Sequence, residues 1–405
     1  MSVFFTPVSN GLPPALVTYG WCRSAYTVVR SLARRGVEVH VADSSRLAMC
    51  RFSRFARSFT RLPDFYSEPV AYIEALAAAM ERTGAEVLLP CFEDVELVIR
   101  HWDALPRATR VAMPAMSDWA VAEDKLNYLA RVGAAGCPVP RTWQVSNRAE
   151  LDSIAAQVDY PVLVKVRMGN GARGVEIVDS PTELKDSLLA MVDTYELAQH
   201  RWPIIQERLA GRKFKLDGVF CNGEPVGMSP FEILRCKGAG KFGTSTFRRS
   251  VDEPTVVEHA TTALRALNWH GMFNTDWICD DHGVPHLIDI NGRLSGGVAV
   301  PYEAGMDLPW LWYQVSAGLE PDANLQTCAG VPVRWLLGDA IAFVEHVGAG
   351  KLREALGMLK PVRGCRHDDF VWSDPLPLVG EALDYFAKFL GARGSVRPMT
   401  KGMVR

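Results

Sequence analysis

An α/β chain of several lobes is what this sequence predicts, and three observations carry that prediction. Near the N-terminus an apolar run at 15–18, an amphipathic stretch at 24–35 and a second apolar run at 37–43 follow one another, with Gly36 as the stop between the last two. That is a β-α-β unit of the doubly wound kind. From 162 onward, short β-branched runs come in pairs joined by glycine-bearing turns and interrupted by helical stretches, the pattern of antiparallel hairpins in an α+β lobe. The length of 405 residues, with 48% apolar and 22% charged side chains, is that of an ordinary globular protein with core for two or three domains.

Composition also narrows the function classes. No apolar run approaches the length that crosses a bilayer, and residues 1–7 lack the basic start and apolar core of a signal peptide. A net charge of −2 gives no general pull towards nucleic acid or membrane, so small-molecule partners are expected. Nine scattered cysteines without a C-x-x-C pair fit reduced thiols, and hence a cytoplasmic protein; nine histidines without H-E-x-x-H spacing speak against zinc.

The elements follow in order. The turn after the first strand is Tyr19-Gly20-Trp21-Cys22-Arg23, which is not a three-glycine dinucleotide loop, so the scaffold is taken without that cofactor. A helix at 72–83 and a strand at 86–90 lead to Glu93-Asp94; these acids suit the first turn of the next helix better than a ligand. A boundary falls near 111–114. Beyond it a helix capped at 117–119 carries Asp124-Lys125 towards Gly133, and Lys125 read alone is an exposed helical lysine. In the strand at 162–167, Lys165 sits in apolar company and so points into a cleft towards an anion.

The segment holding Gly169, Gly171 and Gly174 then joins two strands. It reads either as a plain turn or as a flap whose small residues let backbone N–H groups approach a phosphate. A helix at 182–195 and a strand at 203–207 end in a hinge at 208–211, where Glu207 could accept from an adenine amino group or a ribose hydroxyl. The hairpin around Asn222-Gly223 precedes a glycine-rich basic stretch, 235–249, that includes Lys241 and Arg248. It reads as a mobile solvated loop or, beside acids, as an anion-facing one.

After a helix at 255–267 come two polar-alternating runs, 272–278 and 285–293. With His282-Gly283 as a two-residue turn, counting outward sets Asp276 opposite Asp289 and Asn274 opposite Asn291. Facing carboxylates repel unless something stands between them. Two readings stand: an exposed acidic hairpin, or a divalent cation site. Two acids and an amide oxygen suit magnesium, which leaves positions for water and phosphate oxygens. Trp310 and Trp312 on the helix at 308–317 read as core. From 330 onward strands, an amphipathic helix at 351–359, a helix at 379–390 and a polar basic tail carry no assignable chemistry.

A lysine on a helix, a lysine on a strand, a glycine flap, a Gln-Glu hinge and a D-x-N-x-R finish in this order resemble the ATP-grasp superfamily. Within it the resemblance is to carboxylate-amine ligases of the D-aspartate-ligase-like and biotin-carboxylase-like kinds. It covers roughly residues 115–318. It implies a Rossmann-like pre-ATP-grasp domain at 1–114, a small lobe with the flap at 115–200, a large lobe with the metal hairpin at 201–325, and a C-terminal extension at 326–405. It further implies that Lys125 and Lys165 contact ATP phosphates under a flap of Gly169, Gly171 and Gly174, with Glu207 at the adenine-ribose hinge. Asp276, Asp289 and Asn291 would hold Mg2+, and Arg293 would stabilise the transferred phosphate.

Ser295, Gly296 and Gly297, with Arg248, are where a substrate carboxylate is expected. Two departures stand out: the family commonly has glutamate at both acid positions, and the acid often found past the hinge glycine is replaced by Arg212-Lys213. The implied activity joins a small carboxylate to an amine through an acyl phosphate. A carboxyphosphate-type carboxylase and a non-catalytic ATP-binding regulator are the alternatives. A homodimer is compatible with either.

Overall fold

A computed structural model describes residues 11–169, 174–238, 243–322 and 325–391. Gly171 of the flap, Lys241 of the basic loop, the first seven residues and the basic tail lie outside the described residues.

The N-terminal region runs β1 (Ala15–Val17), α1 (Arg23–Arg34), β2 (Val39–Asp43), β3 (Ser58–Arg61), α2 (Pro69–Thr83), β4 (Val87–Leu89) and α3 (Asp94–Arg100). Its four strands are parallel in the order β3-β2-β1-β4. Every residue of β1, β2 and β4 is buried, as expected of parallel strands covered on both faces, which is why they read as near-continuous apolar runs.

Next come α4 (Met116–Glu123), α5 (Lys125–Ala134), β5 (Thr142–Trp143), α6 (Arg148–Ala155), β6 (Val162–Lys165), β7 (Val175–Val178), α7 (Pro181–Thr194) and β8 (Ile204–Glu207). The single helix expected through Asp124 is two helices. Asp124 is extended (φ −97°, ψ 115°) and its carboxylate accepts from Leu126 N, capping α5, so the chain breaks where an aspartate serves better as a cap than as an interior residue. Strands β5-β8-β6-β7 form a small antiparallel sheet, and the crossing to the next sheet therefore comes after Glu207 and not at 200.

The rest of the chain supplies β9 (Lys213–Cys221), β10 (Glu224–Cys236), β11 (Ser245–Ser250), α8 (Pro254–Ala266), β12 (Gly271–Cys279), β13 (Pro285–Asn291), α9 (Ala299–Glu303), α10 (Leu308–Ala317), β14 (Pro332–Arg334), α11 (Leu336–Gly348), α12 (Leu352–Met358), β15 (Arg366–His367) and α13 (Leu376–Gly391). The large sheet runs β13-β12-β9-β10-β11-β14-β15, so the stretch beyond 326 adds two strands to it. Asn222 and Gly223, both at positive φ (52° and 82°), make the tight turn between β9 and β10. Helix α10 lies between α1 and β4 on one side and β9 and β10 on the other, with Trp312 buried in the core it shares with them.

The hairpin β12–β13 has the expected pairing at its acids, Asp276 with Asp289 and Asn274 with Asn291. Its turn differs. Asp280 N donates to Val284 O, so the loop is three residues, Asp281 to Gly283, and a β-bulge at Ile288 restores the count before the acids are reached. The bulge also lets Leu287 and Ile290 both enter the core while Asp289 faces the other way, which strict alternation would forbid.

Candidate functional site

Three adjacent strands present two rows of polar side chains on one face. In the first, Lys215 on β9 stands opposite Asp276, and Asp276 opposite Asp289. Lys215 Nζ is 2.5 Å from Asp276 Oδ1. In the second, Asp217, Asn274 and Asn291 line up. Asn274 donates to Asp217 Oδ1 at 2.8 Å, and Asn291 Nδ2 lies 3.5 Å from Asn274 Oδ1. Ser295 donates to the other Asp217 oxygen at 2.6 Å. Burial raises the Asp217 carboxyl to about 6, against the pull of Ser295, Lys215 and Asn274.

Helix α5 brings the first lysine. Lys125 is its first residue and is nearly buried, not the exposed helical lysine it resembles in isolation. Its Nζ donates to Gly169 O at 3.0 Å and lies 3.4 Å from Asp289 Oδ1. Arg167 stitches this corner together: its guanidinium holds Asp124 at 3.0 and 2.6 Å, while its carbonyl accepts from Lys125 N. Lys165, buried on β6, donates to Gln206 Oε1 at 2.6 Å. Burial pulls its pKa down to about 8, with Lys125 adding to that pull and the acids Asp289 and Asp276 opposing it. The two lysines and the two acids therefore share one electrostatic neighbourhood.

Between β6 and β7, Gly174 has φ +61°, and a Cβ there would lie 2.6 Å from Val166, so only glycine closes this hairpin. Arg293 donates to Glu93 Oε1 at 2.6 Å and stacks over Phe92 at 4.8 Å. Lys125, Met168, Asp289, Asn291, Arg293 and Glu93 line one cleft.

Of the residues singled out from sequence, Lys125, Lys165, Gly169, Asp276, Asp289, Asn291 and Arg293 come together. Glu207 is engaged locally, accepting from Arg141 N at 2.8 Å. Arg212 turns to Glu232 and Glu253, both at 3.1 Å. Arg248 reaches the 295–297 loop, but it is fully buried and committed: it donates to Gly296 O at 2.9 Å and Asp368 at 2.8 Å. Arg23 donates to the same two acceptors at 3.2 and 3.1 Å, stacked 3.6 Å over Trp335.

Sequence reasoning missed Gln206, Lys215, Asp217 and Tyr128, whose hydroxyl approaches Asp289 at 3.4 Å. The alternation Lys215-x-Asp217 on a strand was the available signal. Glu93 suits a helix start by sequence; it opens α3 but spends its carboxylate on Arg293.

The donor set fits magnesium. Two carboxylates and an amide, all hard oxygen ligands, occupy facing positions, and the lysines hold those charges in the structure. Among the described residues no group of three or more His, Cys, Asp or Glu side chains converges as a metal cage, so such an ion would need phosphate oxygens to complete its shell.

Residues 200–338 match the family model described as ATP-grasp in the biosynthetic pathway with Ter operon, and residues 124–208 match that of the ATP-binding domain of the carbamoyl-phosphate synthase L chain. Together the two matches span residues 124–338, which form the ATP-grasp part of the chain. Several solved structures share its fold. Biotin carboxylase from Campylobacter jejuni, solved as a β-γ-ATP complex, is 18% identical with a TM-score of 0.64, over 77% of this chain and 73% of that one. N5-carboxyaminoimidazole synthetase from Staphylococcus aureus, complexed with ADP, is 15% identical with a TM-score of 0.64, over 84% and 86%. An L-amino acid ligase from Bacillus licheniformis is 17% identical with a TM-score of 0.57, over 77% and 76%. No helix among the described residues is long and apolar enough to cross a membrane.

Proposed function

We propose that this ATP-grasp protein is an ATP-dependent carboxylate-amine ligase that joins two small metabolites through an acyl phosphate, releasing ADP and phosphate. The observation that supports the reading is that Lys125, Asp289, Asn291 and Arg293 line one cleft, with Asp276 paired to Asp289 on the neighbouring strand and Lys165 within the electrostatic reach of both acids. Asp276, Asp289 and the free carbonyl of Asn291 would hold magnesium, which when bound neutralises phosphate charge as a Lewis acid.

The protein's own groups supply the rest. Lys125 and Lys165 present ammonium charge to the phosphates, and each has a neutral acceptor, Gly169 O or Gln206, that it can leave without stranding an ion. Arg293, oriented by Glu93, faces the cleft to stabilise the phosphoryl group as it moves to the carboxylate. Met168 and Gly169, which follow β6, line the cleft and would help exclude the water that hydrolyses an acyl phosphate.

The test is an ADP-release screen of amino acids and small carboxylates in pairs, with Asp289→Asn as the blank and hydroxylamine as the trap. A hydroxamate formed with one acid, and an amide when its amine is added, is the expected result. ADP release dependent on bicarbonate alone would instead favour carboxylation. ATP binding without turnover across the panel would make the protein a regulator.

A further inference from the structure

Strand β9 brings a third lysine to the acids, and the proposed reaction leaves it without a task. Along 213–217 the strand alternates: Phe214 and Leu216 enter the core, so Lys215 falls on the opposite face with the polar rows. Strand β9 lies beside β12, and the register sets Lys215 directly opposite Asp276. Directly paired side chains leave their strands only about 5 Å apart, well within a lysine's reach. The ammonium closes to 2.5 Å from Asp276 Oδ1 and 3.3 Å from Asn274 Oδ1. The side chains of the ion pair are 21% and 20% exposed, so water screens their attraction less than it would at the surface.

From β9 across the hairpin to α5 the charges run Lys215, Asp276, Asp289, Lys125. Each acid has its own lysine, and the row is neutral as it stands. That balance limits what the acids can bind. A divalent cation arriving alone would have to displace Lys215 to reach Asp276, and would leave the row with a net positive charge. A cation that brings phosphate oxygens restores the balance. Lys215 then has Asn274 Oδ1, a neutral acceptor already within 3.3 Å, to turn to when it leaves the acid.

We infer that Lys215 is the resident counter-ion of Asp276 and couples metal binding to nucleotide binding. It competes with a divalent cation for that carboxylate, and it yields when phosphate accompanies the ion. Lys215 is thus a positioning residue for a magnesium nucleotide, acting through Asp276. Lys125 does not duplicate it, because Lys125 stands at the other acid, 3.4 Å from Asp289, and is also held by Gly169 O. The inference rests on the magnesium part of the ligase reading and on no particular acid or amine.

Titration of the nucleotide-free chain with Mn2+, followed by the paramagnetic resonance of the free ion, tests it. The parent should bind weakly, and Lys215→Met about tenfold or more tightly, because the competing charge is gone. Lys215→Arg keeps the charge and should bind as weakly as the parent, while Asp276→Asn added to Lys215→Met should remove the gain. A lysine that only supported the fold would lose affinity on removal, so a gain separates the two roles. Lys215→Gln is the second neutral variant should the methionine one fail to fold. Calorimetry with ADP gives the reciprocal reading: the factor by which Mg2+ tightens ADP binding should shrink about tenfold in Lys215→Met. Equal Mn2+ affinity in parent and neutral variants, while Mg2+ still tightens ADP binding, would overturn the role of Lys215 and leave the magnesium reading standing. ADP binding that ignores Mg2+ in the parent would overturn both.

Discussion

At the cleft, Lys125 and Lys165 reach their partners along flexible stems, with one facing Asp289 at 3.4 Å and the other bonded to a neutral amide. At the 295–297 loop, Arg23 and Arg248 are buried and share Asp368 and Gly296 O, with Glu381 as a second acid 3.9 Å from Arg23. Both are clusters of cations and acids. The first is built of interchangeable contacts, which on the proposed reading an incoming anion and metal would replace at little cost. The second is a fixed clamp that ties α1, β11 and the segment before α13 to the loop beside the site. The difference separates groups that act from groups that hold.

Removing one acid from each cluster should affect the two regions in opposite ways. Asp289→Asn should lower ADP formation on the order of a thousandfold. Its unfolding free energy should stay within about 1 kcal/mol, since the ion pair it loses is partly exposed. Retained activity in that variant would sink the metal assignment. Asp368→Asn should do the reverse, costing about 3 kcal/mol or more in urea unfolding, because two buried guanidinium groups lose their shared counter-charge. If instead it unfolds like the parent, the clamp is not a clamp.

A smaller effect is expected at the flap. Gly174→Ala should cost about 2 kcal/mol through positive φ and overlap with Val166, and Val166→Ala should recover part of that by removing the overlap. The mildest test is pH. Burial sets Lys165 near 8, so its ammonium is present below that and lost above it. KM for ATP should then rise by up to about tenfold per pH unit above 8, with kcat changing less because bound phosphate restores the proton, and Lys165→Arg should flatten the profile. A flat KM in the parent across that range would remove Lys165 from the phosphate site.

Much of the cleft was legible because its signals are local. A lysine inside an apolar strand announces a buried partner, here the Gln206 amide, and acids at alternate strand positions announce a face. The facing of Asp276 and Asp289 was reached through a turn one residue too short, and it holds because the bulge at Ile288 cancels that residue. The clamp was not legible at all. Arg23 and Asp368 are 345 positions apart, and neither sits in a pattern that marks it. Glu93 shows a middle case: an acid at a helix start has an adequate local explanation, and Arg293, 200 positions on, supplies the better one.

The bulge at Ile288 has a consequence for how this hairpin can vary. Side chains on a strand have parity, and any change of length at the tip would normally invert everything behind it. Here the parity is reset between the tip and the acids, so the tip and the base keep separate phase. The three-residue tip therefore coexists with Asp289 facing Asp276, because Ile288 absorbs the odd residue.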